Sequence, residues 1–181
     1  FERDKNDAFF NPENGYFNTQ GKNAYDTSVE TTKRLDDLQK LYGESLNPEA
    51  KRMFDTVAAK HVAKSNVDIA RHASKGLKAW EISTVEAQTE NSLENASLYW
   101  SDPENLRVQN VLGRQAVMDS SDMLGDSTEA KAEKLQTFDS VFASNTIAAA
   151  TQSSAAEGQA ALDQYGSKLE GPDAVKMKKA I

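Results

Sequence analysis

The chain contains no cysteine and only four prolines and nine glycines in 181 residues. Without cysteine there is no disulfide, no thiolate nucleophile and no Cys-bearing zinc site, and the redox compartment cannot be read from the composition. Proline and glycine fall mostly between periodic stretches, and alternating β-branched runs are few, so all-β and α/β folds fit poorly. No run approaches the roughly 18 consecutive apolar residues of a membrane-spanning helix. The opening Phe1-Glu2-Arg3-Asp4-Lys5 lacks the apolar stretch of a signal peptide, and the missing initial Met leads us to expect a piece of a longer protein. Basic charge is in deficit, 21 Lys and Arg against 28 Asp and Glu, for a net charge of -7 and a pI near 4.9. Such a balance opposes non-specific nucleic-acid binding, which depends on neutralising phosphates.

Large apolar residues are also sparse: Leu, Ile, Val and Phe together make up about 19% of the chain, close to the composition at which strongly charged chains stay disordered. Their place is taken by alanine, about 24 residues, which favours helix and buries little area per residue. The expected fold is therefore all-α: an elongated helical bundle with one very long helix at about 48–100 and helical hairpins toward the C-terminus. The division expected is 1–125 for an N-terminal helical region and 126–181 for a hairpin region continuing past the chain end, with a single domain as the alternative.

Local signals place the elements. A first helix is predicted over Glu2–Phe10, stopped by Asn11-Pro12-Glu13-Asn14-Gly15, where Pro suits the second position of a turn and Asn-Gly suits positive φ. A second is predicted from about Thr19 to Tyr42, capped by Asn18 or Thr19, with an apolar face of Val29, Leu35, Leu38, Leu41 and Tyr42 and Gly43 as a left-handed terminator. Asn47-Pro48-Glu49 starts the long helix and Ser101-Asp102-Pro103 ends it, with Gly76 its expected weak point. At about 1.5 Å per residue such a helix is roughly 75 Å long. Its positions Phe54, Ala58, Val62, Ser65, Ile69, Ala73, Gly76, Trp80, Thr84 and Ala87 form an 11-residue repeat, read as an ordinary core face or as an oligomer seam. Pro103 opens the next helix, which ends near Leu124-Gly125, and Asp126 with Glu129 gives a capping-box signature. From Leu135 to Ala156 the only charge is Asp139, which predicts a helix enclosed by others. Shorter helices are expected at 155–165 and 173–181.

Catalytic signals are weak. Gly21-Lys22 lacks the glycine spacing, the following Ser or Thr and the leading strand of a phosphate-binding loop. His61 and His72 share a helix face but lie about 16 Å apart, too far for one metal, so both are expected to be solvated. Acidic pairs are too numerous to single one out, and no Gly-x-Ser-x-Gly elbow occurs. No catalytic residue, cofactor, metal or small-molecule substrate is therefore assigned.

The charge of the long helix is more informative. Lys51, Arg52, Lys60, Lys64, Arg71, Lys75 and Lys78 against Asp55 and Asp68 give +5, whereas the stretch from Glu81 to Glu104, which runs just past the helix end, holds Glu81, Glu86, Glu90, Glu94, Asp102 and Glu104 for -6. This order opposes the helix dipole, and Glu86, Glu90 and Glu94 form a like-charged row costing about 0.2 to 0.5 kcal/mol per pair. The division reads either as a solvated face or as a surface for a charge-complementary neighbour, such as an oppositely running helix in this chain or in a second copy. Lys60, Lys64, Arg71, Lys75, Lys78, Glu86, Glu90 and Glu94 are the candidate interaction face.

The segment Asp7-Ala8-Phe9-Phe10-Asn11-Pro12-Glu13-Asn14-Gly15-Tyr16-Phe17-Asn18-Thr19-Gln20-Gly21-Lys22-Asn23-Ala24 resembles a passage in virion proteins of tailed phages and prophages. These are internal, DNA-ejection or tail-associated proteins, some with a lytic transglycosylase domain elsewhere in the chain. The likeness covers about residues 7–100, and 162–181, with Tyr165, Leu169 and Pro172, loosely resembles the start of that family's helical array. Glu44-Ser45 does not reproduce the transglycosylase pattern. The resemblance implies a non-catalytic structural module, located in the virion after assembly in the host bacterial cytoplasm, whose partners are other virion proteins or copies of itself. The turn residues Pro12, Asn14, Gly15, Tyr16 and Phe17 also admit a plainly structural role, with the two aromatics packed beneath the second helix. A soluble helical adaptor for a cellular protein and a part of a peptidoglycan-degrading phage protein are the alternatives.

Overall fold

The computed structural model describes residues 1–180, and among them every regular element is helical. The helices are α1 (Glu2–Phe10), α2 (Gly21–Asp26), α3 (Ser28–Glu44), α4 (Pro48–Leu98), α5 (Pro103–Leu124), α6 (Thr128–Ser153), α7 (Ala155–Tyr165) and α8 (Gly171–Ala180). Short 3-10 turns occupy Tyr16–Asn18 and Gly166–Lys168. The all-α expectation with one very long helix holds, and α4 runs unbroken for 51 residues. Ile181, the end of the helix expected at 173–181, lies outside the described residues. Contacts divide the chain into two compact units, Phe1–Glu81 and from Ile82 onward, rather than at 125/126. The reason is that α5 and α6 share one core: Leu106 and Val117 pack with Phe138 and Phe142.

In the first unit Ala8, Phe9, Tyr16, Leu35, Val62 and Ile69 form the core, with Phe1 and Phe17 against it. Fully burying a side chain such as Leu35 or Ile69 is worth about 1.5 to 3 kcal/mol. Leu35 and Ile69 are each only 2% exposed. The turn after α1 differs from expectation in its cause. Gly15 has φ -69, not a positive value. It is buried, and a Cβ there would stand 2.6 Å from both the amide nitrogen and the carbonyl oxygen of Asn11 and 2.7 Å from the Phe9 carbonyl. Close backbone approach, not left-handed φ, requires glycine. The Asn11 side chain accepts from the Glu13 amide at 2.9 Å, an Asx-type turn, and the Asn18 amide group donates to the Asn11 carbonyl at 2.7 Å.

The helix expected over Thr19–Tyr42 is two helices. The left-handed residue is Gly21, at φ +57, and α2 and α3 meet at Thr27, whose hydroxyl bonds the Asn23 carbonyl at 2.6 Å. Thr19 does not cap; its hydroxyl donates to the Tyr16 carbonyl at 2.6 Å. Gly43 lies inside α3, buried, with φ in the ordinary range, where a Cβ would meet Lys51 Nζ at 3.2 Å and Phe54 Cε1 at 3.7 Å. Val29 and Leu41 are 78% and 62% exposed, so they do not belong to the buried face of α3. Thr31, Leu35, Leu38 and Tyr42 line it instead, at spacings of 4, 3 and 4.

Asn47 caps α4 as expected, its Oδ1 accepting from the Ala50 amide at 2.9 Å. Gly76 is not a weak point but a contact point: a Cβ there would come within 2.5 Å of the Gly21 carbonyl oxygen and 2.8 Å of Ala24 Cβ. Of the expected stripe, Ala58, Val62, Ser65, Ile69 and Ala73 are buried. Trp80 is 40% exposed, Thr84 and Ala87 are exposed, and in the second unit the buried positions of α4 are Ser92 and Ala96. The 11-residue repeat therefore describes the core face of the first unit only.

In the second unit α5 opens at Pro103 and ends at Gly125, as expected; Asp102 caps it through the Asn105 amide at 3.1 Å, and Gly125 has φ +77. The cap of α6 is Ser127, whose Oγ accepts from the Ala130 amide at 3.2 Å, not the expected Asp126. Asp126 instead holds Lys134 Nζ at 2.5 Å. Small residues set the spacing: a Cβ on Gly113 would overlap the Phe138 ring at 2.2 Å, and one on Gly158 would meet Thr151 Cα at 2.9 Å. Helix α6 buries one face, through its own Phe138, Phe142, Ala143, Thr146, Ile147 and Ala150. Its one mid-helix charge, Asp139, is 15% exposed and paired with Arg114, with Lys168 Nζ at 3.8 Å. Ser140 donates to Asp173 and accepts from the Glu170 amide, both at 2.9 Å, and so pins the start of α8.

Candidate interaction surfaces

The turn residues are structural in placement. Tyr16 is 4% exposed, and its hydroxyl donates to the Ala24 carbonyl at 2.8 Å with the Ile69 carbonyl at 3.2 Å, tying the turn to α2 and α4. Burial raises its pKa above the ordinary phenol value. Phe17 stacks edge-on with Phe9 at 5.4 Å and with His72 at 5.3 Å. His72 is thus not solvated: it is half-buried, and its Nε2–H donates to the Thr19 carbonyl at 2.9 Å. His61 lies on the surface, 38% exposed, with Nε2 3.3 Å from Glu2 Oε1. Pro12 and Asn14 are exposed. Together the aromatics and His72 fill the space beneath α2 rather than forming an open site.

The basic face of α4 is a solvent-facing strip. Eighteen residues make five helical turns, so Met53 and Arg71 share one bearing, and at about 100° per residue Val57, Lys60, Lys64, Val67, Lys75 and Lys78 all lie within about 40° of it. Ala58, Val62, Ser65, Ile69 and Ala73 lie on the opposite side, centred about 160° away, and are buried. The strip is not purely charged. Met53, Val57 and Val67 are 69%, 58% and 57% exposed along it. Lys60, Lys64, Arg71, Lys75 and Lys78 are all exposed, and Arg71 has only the loose contact of its Nη1 with Asp68 at 3.8 Å.

In the second unit Glu86 and Glu90 stand at the edge of a groove of about 640 Å³ between α4, α5 and α6. Glu94 is exposed and lies outside its lining. Helix α4 supplies Glu86, Thr89, Glu90 and Leu93; α5 supplies Val117, Ser120 and Leu124; α6 supplies Ala130, Glu133, Lys134, Thr137, Phe138 and Val141. The groove exists because Thr89, Ser120, Ala130 and Thr137 are too small to close it over the larger apolar side chains. Carboxylates rim it from both sides, Glu86 and Glu90 on α4 and Glu133 on α6. The one cation in the lining, Lys134, is already neutralised by Asp126, and Lys134 in turn holds the Asp126 carboxyl below its ordinary value.

Sequence reading found Glu86 and Glu90 but not Glu133, Val117, Leu124, Phe138 or Val141. Their grouping depends on how α5 and α6 pack, which no local spacing reveals. Met53, Val57 and Val67 were recoverable, because their place among the lysines follows from helical period alone. An apolar cleft with carboxylates along both edges suits a cationic, amphipathic helix: apolar knobs enter the cleft while lysine or arginine meets the rim. Among the described residues there is no cluster of three or more His, Asp or Glu able to hold a metal ion, and no helix is long and apolar enough to cross a membrane. Comparison with protein-family models, curated proteins and solved structures finds no match to this chain.

Proposed function

We propose that this chain is a non-catalytic structural module of a tailed-phage or prophage virion protein, internal, ejected or tail-associated, that works by docking other proteins during particle assembly or genome delivery. The observation carrying the docking part is the groove between α4, α5 and α6, with an apolar lining and Glu86, Glu90 and Glu133 along its edges. The virion part is supported by the resemblance of residues 7–24, whose Pro12 to Phe17 turn organises the first unit's core.

The test is mass spectrometry of purified particles from cells carrying the parent protein or a variant in which Glu86, Glu90 and Glu133 are Lys. The parent is expected in the particles, and the variant, still helical by circular dichroism, is expected to be depleted from them. A chain absent from particles that co-purifies with a cellular protein would establish the adaptor reading instead. Release of muropeptides from peptidoglycan by this chain would refute the non-catalytic assignment.

A further inference from the structure

We propose that the groove of one copy takes the Met53–Arg71 strip of a second copy, so that the module assembles with itself through unlike surfaces. This rests on reading the groove as a protein-docking surface and names the occupant. The groove needs a helix that presents apolar knobs and cations together on one face. The strip on α4 has that chemistry: Met53, Val57 and Val67 are more than half exposed, interleaved with Lys60, Lys64 and Arg71 on one bearing opposite the buried face. The spacing between consecutive members, 4, 3, 4, 3 and 4, is the seam period by which one helix packs against others. The groove offers Leu93, Leu124 and Val141 to the knobs, above the buried Val117 and Phe138, and Glu86, Glu90 and Glu133 to the three cations. A volume of about 640 Å³ accommodates several side chains of Met and Val size. The two surfaces are opposite in sign, each carries apolar side chains among its charges, and both belong to this chain.

The seam also accounts for an otherwise unfavourable sequence. Glu86 and Glu90 repel each other one turn apart, and apolar residues interrupt a basic face whose other members are solvated. Both features become favourable when strip meets rim, because each carboxylate gains a cation and each exposed aliphatic loses water.

Charge exchange in the full 181-residue chain tests this. One variant carries K60E, K64E and R71E; the other carries E86K, E90K and E133K. All six positions are exposed, so folding is expected to survive, and circular dichroism checks it. Each reversal changes the charge by two, so the parent's -7 becomes -13 in the first variant and -1 in the second. Both remain negative, and bulk attraction cannot draw them together. By sedimentation velocity at about 0.05 M salt the parent is expected to self-associate, and at about 0.5 M salt to do so at least tenfold more weakly. Each variant alone should lose at least tenfold in affinity. Their equimolar mixture should regain association to within a few-fold of the parent, because each strip now faces a groove of opposite sign. A third variant, M53S with V57S and V67S, keeps every charge and should also weaken association.

A parent that stays monomeric at about 0.2 mM, well above micromolar affinity, would overturn the proposal. So would variants that associate like the parent, or a mixture that stays monomeric. A monomeric chain still found in particles would remove this inference and leave the proposed function standing. A self-associating chain absent from particles would do the reverse.

Discussion

Replacing Gly76 by Ala should destabilise the first unit, although the same change in a solvent-facing helix stabilises by about 1 kcal/mol. Gly76 lies in the middle of α4, and the added methyl would sit 2.5 Å from the Gly21 carbonyl oxygen and 2.8 Å from Ala24 Cβ. Ordinary contact needs about 3.4 Å or more, so α2 must retreat by close to an ångström. It is not free to do so. The Tyr16 hydroxyl holds the Ala24 carbonyl at 2.8 Å and the Ile69 carbonyl of α4 at 3.2 Å, so moving α2 away from α4 stretches the bond that spans them. Overpacking costs about 1 to 3 kcal/mol, and weakening a buried hydrogen bond adds about 1. Against the helix-propensity gain, a net loss of about 1 to 3 kcal/mol remains. The chain has two tryptophans, and Trp80 lies beside Gly21, whose hypothetical Cβ would be 3.8 Å from Trp80 Cβ. With Trp100 replaced by Phe, urea unfolding followed by tryptophan fluorescence reports the first unit. Adding A24G should recover only part of the loss, because the backbone carbonyl of Gly21 stays in place. A rise in unfolding midpoint for G76A would refute the packing of α2 on α4.

Gly15→Ala should cost about 1 to 3 kcal/mol by the same measurement, since its methyl would strike the Asn11 backbone at 2.6 Å. An unchanged midpoint would contradict that close backbone approach. Ser127→Ala should weaken the second unit by about 1 kcal/mol through loss of the α6 cap, seen as a lower midpoint in urea with Trp100 as reporter. Acid should weaken the second unit. The Asn105 hydrogen bonds on Asp102, the Arg107 guanidinium on Glu104, Lys134 on Asp126 and backbone donation to Glu129 each hold a carboxyl below its ordinary value, 3.8 for Asp and 4.5 for Glu. A depressed folded-state pKa gives stability that is full above the ordinary value and is lost as pH falls through the folded one. The second unit's urea midpoint should therefore hold between pH 5 and 7 and decline below about 4. A midpoint that rises with acid would contradict these assignments.

Helix content was legible because alanine load, proline position and capping side chains act within a few residues. Asn47, Pro48, Asp102 and Gly125 do what their chemistry dictates where they stand. The misreadings share a cause: each residue had a local role open to it and took a tertiary one. Gly15, Gly43 and Gly76 look like φ-driven or helix-weakening glycines, yet each has φ outside the left-handed range and stands close to another segment. Ser127 and Asp126 were both competent caps, and Asp126 was drawn away by Lys134. His72 had nothing in its neighbours in sequence to mark it as half-buried, because Tyr16 and Phe17 reach it across more than 50 residues.

The interaction surfaces divide along the same line. A strip on one helix is fixed by a 3.6-residue period, so the sequence already places Met53, Val57 and Val67 among Lys60, Lys64 and Arg71. A groove needs three helices at set distances, and those distances follow from tertiary contacts: Gly113 admits the Phe138 ring between α5 and α6, and Asn145 Nδ2 ties α6 to the Leu93 carbonyl of α4 at 2.9 Å. Only then does Glu133 join Glu86 and Glu90, which stand 47 and 43 residues earlier in the chain. The like-charged row on α4 was visible as a small energetic fault, and its use depends on a carboxylate from another helix and on an apolar cleft beneath. A local pattern that works against its own helix is thus a pointer to a surface the sequence cannot draw, and the sign of that pattern specifies what the surface must meet.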